Sequence, residues 1–307
     1  MSSSASISKI FKAVTDARTG HAEVARLCVV GAGAELTRVA RALSAGAADE
    51  HDGISAVLDA LPPADFPLDE RLAGGWDIVV LVAAGCAAVE MAPIVRAARS
   101  AGHRVIALVE APYGEWIDAA GVFDDEVARG LGGDHSGAPT LENRIVHAAG
   151  HGASALAVRL PAVRRAYCDH VVLANASQNA VIGAVVIIPG ADMPAMTANQ
   201  IRMVLKIATA YGEQIGLDRA LEILSVVGTA FVFRTLARQA LDFVPGFGWA
   251  LKGAVGFTAT VALGEAAIAY FEAGAPLQVS HMQRIDQQLE RARSRLPGFL
   301  QRRLASG

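Results

Sequence analysis

The sequence predicts an α/β domain on a mostly parallel, three-layer sheet, followed by an all-α apolar helical domain. Three observations lead there. Short, wholly apolar, β-branched runs alternate with helical patterns through the first half, as a parallel sheet covered on both faces requires. From Leu156 onward only helical patterns remain, punctuated by Pro189-Gly190 and Pro245-Gly246. The chain has 307 residues, 53% of them hydrophobic and 19% charged, with a mean hydropathy of +0.37. That composition supplies two cores and excludes a disordered chain.

Taken in order, residues 1–22 form an N-terminal amphipathic segment, with Ile7, Ile10, Phe11 and Val14 at helical spacing beside Lys9 and Lys12. Met1–Gly20 is too polar for a secretory signal. Residues 23–150 are the α/β domain. Its expected strands are Leu27–Val30, Ile78–Val82 and Arg104–Val109, with Ile54–Leu58 as another. Its helices are Glu35–Ser44, Val89–Ser100 and about Thr140–Ala149. Residues 151–276 are the apolar helical domain, and 277–307 a basic C-terminal helix or tail. Within the helical domain, Met196–Tyr211 and Leu217–Leu241 read as helices, and Leu224–Phe233 is uncharged all round.

Charge divides the chain in the same way. Residues 1–150 carry 12 basic and 20 acidic side chains, net −8, and residues 151–307 carry 15 and 10, net +5. Lysine is scarce: Lys9, Lys12, Lys206 and Lys252 are all there are, so none lies between residues 13 and 205. Cys28, Cys86 and Cys168 form no CxxC pair, which fits a reducing compartment.

The turn after the first strand, Gly31-Ala32-Gly33-Ala34-Glu35-Leu36, is the candidate cofactor-binding feature, with Gly31 and Gly33 as its residues. Such a turn before a helix can cradle a phosphate on backbone N–H groups. A dinucleotide fingerprint needs a third glycine, where Leu36 stands, and an acidic residue closing the next strand. Asp49, Glu50 and Asp52 lie at that distance, but the residues before them do not read as a strand. A phosphate loop needs GxxxxGK[ST], and the lysine is absent altogether.

Trp76-Asp77-Ile-Val-Val-Leu81 nevertheless resembles the strand after the second switch of the small GTPase-type fold. Val105–Pro112 resembles the strand that ends there in the guanine-reading NKxD, replaced here by Glu110-Ala111-Pro112-Tyr113. Over residues 26–148 the resemblance rests on the order of elements. It implies a GTPase-like domain stripped of its nucleotide motifs, and a generic Rossmann-like domain stands beside it.

The second half resembles the domain of unknown function 697 family of bacterial proteins, often fused to or encoded beside GTPase domains. The resemblance is carried by Ile188-Pro-Gly-Ala-Asp192, Gln200-Ile-Arg-Met203, Ile207-Ala208, Tyr211-Gly212, Val244-Pro-Gly246 and Ala262-Leu-Gly264, over about residues 160–274. It implies a helical, often membrane-associated domain without established catalytic residues. Asp192, Gln200, Tyr211 and Gly264 are thus expected to serve structure or interaction. Val171–Ile188 and Trp249–Phe271 stand at the edge of what marks a spanning helix. Asn175, Gln178 and Asn179 interrupt the first, Lys252 and Glu265 the second. Ala250, Ala254, Thr258, Ala262 and Ala266 form a row of small residues at every fourth position, the kind that lets helices approach closely. Arg284, Arg291, Arg293, Arg295, Arg302 and Arg303 follow, attractive to anionic headgroups.

His147 and His151 have helical metal spacing without the glutamate of HExxH, and Asp134-His135-Ser136 lies in a glycine-rich stretch. No catalytic residue, metal or cofactor is therefore expected. The expected function is a non-catalytic, membrane-associated adaptor or regulatory protein linked to a GTPase system, at the cytoplasmic face of the membrane or in the cytoplasm. Its expected partners are a GTPase or membrane partner protein, anionic lipid or a second copy of the chain. Nucleic acid is not expected, for want of a wide basic surface with stacking aromatics. The alternative is a soluble dinucleotide- or phosphate-binding enzyme or sensor using the Gly31–Glu35 turn.

Overall fold

A computed structural model describes residues 24–47, 57–69, 75–110, 114–132, 139–185, 193–213 and 248–274. By contact density these fall into two compact units. One holds the described residues up to Val171 together with Lys206–213, and the other holds 172–Leu205 and 248–274.

The first unit is built on a parallel sheet. Its strands are β1 (Leu27–Val30), β2 (Leu58–Leu61), β3 (Ile78–Val82), β4 (Arg104–Leu108) and β5 (Val127–Ala128), in the order β2-β1-β3-β4-β5. Every pairing is parallel, with Leu27 opposite both Leu58 and Ile78, and Ile78 opposite Arg104. The intervening helices are α1 (Gly33–Ser44), α2 (Ala88–Ser100), α3 (Gly114–Ala120) and α4 (Leu141–Ala149). Alternate strand residues point to opposite faces. Cys28, Val30, Val79, Leu81, Val105 and Ala107 meet Met91, Ile94, Val95 and Ala98 of α2 and Ile117 of α3. Leu27, Val29, Ile78, Val80, Ile106 and Leu108, also buried, turn to the other face, where α1 and α4 lie against the strands. Each such side chain contributes about 1.5–3 kcal/mol relative to exposure, so uninterrupted apolar strands are what this double covering selects.

Three predicted strands and three predicted helices are present within a residue or two of their expected bounds. The fourth strand differs. It runs Leu58–Leu61, whereas Ile54–Leu58 was the expectation from sequence. As an edge strand it is only partly covered, and its Asp59 accepts a hydrogen bond from Trp76 Nε1 at 2.6 Å and pairs with Arg26 at 3.3 Å. An aspartate at mid-strand masks the apolar signal that marks the other strands. The α3 helix and the two-residue β5 carry too few residues for a periodicity to register.

After α4 the chain turns fully helical, through α5 (Ala153–Arg159), α6 (Pro161–Val185), α7 (Met193–Ala210) and α8 (Gly248–Glu272). Pro161 opens α6, where a missing N–H costs nothing. The α/β-then-helical architecture is the one the sequence predicts. The N-terminal segment, Leu217–Leu241 and the arginine-rich tail lie outside the described residues.

Candidate functional site

In a doubly wound sheet of this order, ligands bind beyond the carboxyl ends of the strands where the order reverses, here between β1 and β3. Gly31 and Gly33 sit at that point, and each has a local reason to be glycine. A Cβ on Gly31 would lie 2.9 Å from Val82 Cβ on the neighbouring strand. Gly33 has φ of +53° with open space around it, a conformation that strains other residues.

The chain's own groups engage the walls and rim of this crevice. Gly31 N–H donates to Leu61 O at 3.2 Å, and the Ala32 backbone hydrogen-bonds the buried Cys86 thiol in the loop after β3. Burial pushes that thiol's pKa up, the Glu90 charge adds to the effect, and the Ala32 contact opposes it. Trp116 Nε1 holds the same loop by donating to Cys86 O at 2.9 Å. At the rim, Arg38 bridges Glu35 of the first turn of α1 and Glu110 beyond β4, both at 2.8 Å. The Glu35 hydrogen bond is the main reason the guanidinium is held more firmly charged, with Glu110 adding to it. Glu35 thus occupies the helix N-terminus, where the macrodipole favours an anion. A phosphate there would meet that carboxylate as well as Glu110.

Beside β1, β2 ends at Leu61 and runs into Pro62 and Pro63. No carboxylate closes the strand at its tip, the place a ribose-binding acid takes. Asp49, Glu50 and Asp52 lie outside the described residues. A separate cavity of about 480 Å³ opens at the opposite end of the strands, beside the amino ends of β1, β3 and β4, lined by Gly75, Trp76, Asp77, His103, Arg104 and Ala149 among others. His147 lies in the last turn of α4, but the helix stops at Ala149 and Gly150 has φ of +52°. His147 and His151 therefore do not sit on successive turns of one helix. Asp134, His135 and Ser136 lie outside the described residues.

The helical part holds a different constellation. Asn175 and Asn179 on α6, Asn199 on α7 and Thr260 on α8 are all buried. Asn199 Nδ2 donates to Asn179 Oδ1 and to Asn175 O, each at 2.9 Å. Asn179 Nδ2 donates to Thr260 Oγ1 at 2.8 Å, and Thr260 in turn donates to Gly256 O at 2.7 Å. The seam joins three helices through polar side chains. Flanking it, a Cβ on Gly256 would lie 2.9 Å from Asn179 O, and one on Gly264 would run into the Val172 side chain.

The seam and its three helices lie within a region that matches a family model. Residues 150–297 match the family described as "Domain of unknown function (DUF697)". The match supports the resemblance argued from the sequence and is wider than the stretch of residues that carried it. No curated protein and no solved structure matches the chain.

Within the DUF697 segment, Gly264 is at the α6–α8 contact. Tyr211 lies under the Arg164 guanidinium, 5.1 Å from ring centroid to carbon, while Arg164 caps α5 by donating to Ala157 O and Val158 O at 3.0 Å. Gln200 is half-buried, and its neighbour Asn199 carries the seam. Asp192 lies outside the described residues. The row of small residues in the contact is Gly256, Thr260 and Gly264. The expected row is offset from it: Thr258 is exposed, and Ala262 and Ala266 are only partly covered.

Among the described residues of the whole chain, no helix is long and apolar enough to cross a membrane, and no group of three or more metal-ligating side chains assembles.

Proposed function

We propose that this protein is a non-catalytic adaptor or regulatory protein, linked to a GTPase system and held at a membrane by its helical part. The observation that carries the non-catalytic clause is the crevice between β1 and β3. Its Ala32 amide is engaged by Cys86, and Arg38 at its rim is bridged between Glu35 and Glu110. With no lysine from residue 13 to 205, the α/β part lacks the lysine that a phosphate loop uses on the terminal phosphates. The α/β surface then serves as a platform for a partner. The membrane clause draws support from the apolar composition of the helical part and from the arginines that follow it. The GTPase clause draws on the family resemblance.

Titrating the full-length protein with fluorescent GTP, ATP and NAD tests the first clause. Micromolar, magnesium-dependent, saturable binding would overturn it; a flat titration supports it. Carbonate washing of a membrane fraction tests the second, the expected result being retention in the pellet.

A further inference from the structure

The cavity of about 480 Å³ at the amino ends of the strands has a chemistry of its own. In a parallel sheet the covering helices run back against the strands, so their carboxyl ends gather where the strands begin. Here α2 ends at Ser100 and α4 at Ala149, and Ala101, Gly102, Ala148 and Ala149 line the cavity. Each helix end presents carbonyl oxygens and about half a negative charge. The N–H groups along this wall are already used. Those of Asp77, Ala101, Gly102, His103 and Arg104 all donate to backbone oxygens, at 2.8 to 3.0 Å. This part of the wall therefore offers a ligand acceptors in place of donors.

Two exposed side chains of opposite charge complete the lining. Asp77 stands just before β3, and Arg104 opens β4 beside it. Asp77 Oδ2 accepts the Arg26 N–H at 2.8 Å, which fixes the carboxylate. Its Oδ1 accepts no hydrogen bond among the described residues. The Arg104 guanidinium forms no ion pair among the described residues either, with Asp77 or with any other carboxylate. Each charge is thus left with an open valence on the same cavity. Trp76 in the wall is held in place, its Nε1 donating to Asp59 at 2.6 Å and its ring stacked on Phe66 at 5.6 Å. We propose that this cavity binds a small zwitterion of the amino-acid class. The ammonium takes Asp77 Oδ1 and the helix-end carbonyls, and the carboxylate takes Arg104, in charge-assisted hydrogen bonds. The volume lies within the range of small-molecule sites. The inference goes beyond the adaptor reading and is independent of it, since the nucleotide titration reads the other end of the strands.

The test is calorimetric titration of the full-length protein with each free L-amino acid at millimolar concentration. Propylamine and propanoate serve as the two half-ligands. Wild type, Asp77→Asn and Arg104→Gln are compared, with thermal unfolding as the folding control. Asparagine keeps an acceptor for the Arg26 N–H, and the Arg104 side chain is exposed, so Arg104→Gln reads the site even if Asp77→Asn unfolds. The expected result is saturable binding of one or more amino acids, weakened about tenfold or more by each variant. Both half-ligands should bind more weakly than the amino acid. No saturable heat from any amino acid would overturn the proposal, and so would binding that both folded variants leave unchanged. Propylamine binding as tightly as the amino acid, with Arg104→Gln without effect, would overturn the zwitterion and give the cavity to a simple amine.

Discussion

Gly31 and Gly33 both look like ligand residues in a sequence, and the structure gives each a different reason to exist. Gly31 is a packing residue. An alanine there must push Val82 or the β1–β3 contact apart, so Gly31→Ala is expected to cost about 1–3 kcal/mol, read as a lower urea midpoint at unchanged slope. Gly33 is a conformational residue with open space around it, so Gly33→Ala should cost about 1–2 kcal/mol from backbone strain alone. Cys28 adds a pH dependence. Burial, with Asp59 adding, raises its thiol from 9.0 to about 12, so the folded state prefers the neutral form. Stability contributed this way is complete below pH 9, where folded and unfolded thiols are both protonated. It is lost as pH rises from 9 towards 12 and the unfolded thiol ionises. Alkaline denaturation of wild type and Cys28→Ala should differ in steepness across that window, and equal slopes would remove Cys28 from the account.

Helices and strands were legible because each leaves a period in the sequence; which faces meet was not. Asn175 and Asn179 stood out only as interruptions of an apolar stretch. Their four-residue spacing, with Asn199 on another helix, becomes a seam only when the helices are brought together. An alanine-rich helix such as α8 offers several rows of small residues, and the sequence has no means to choose Gly256–Thr260–Gly264 over the neighbouring row. Val172, the residue that makes Gly264 necessary, lies ninety-two positions away. Two predictions follow from the contact. Thr260→Val keeps the shape but leaves Asn179 Nδ2 without its acceptor, and should cost about 1–3 kcal/mol. Gly264→Ala should destabilise by a similar amount through overpacking. Adding Val172→Ala makes room for the new methyl, so the double variant should be more stable than the sum of the single costs. Strict additivity in thermal unfolding would mean that α6 and α8 do not touch there.

The proposed membrane contact has an electrostatic component that the basic back of the chain can be tested for. The six arginines from Arg284 to Arg303 face only Asp286 and Glu290 after residue 274, so their share should need anionic lipid and fall with ionic strength. Near an anionic surface each arginine is worth about 1 kcal/mol. Replacing Arg291, Arg293 and Arg295 by glutamine in the full chain should therefore weaken binding to phosphatidylglycerol vesicles by up to about a hundredfold at low salt. Binding to neutral phosphatidylcholine should stay unchanged. If the arginine variant instead weakened binding to both vesicle types equally, the arginines would not be reading lipid charge. The charge division of the sequence would then have no bearing on where the protein sits.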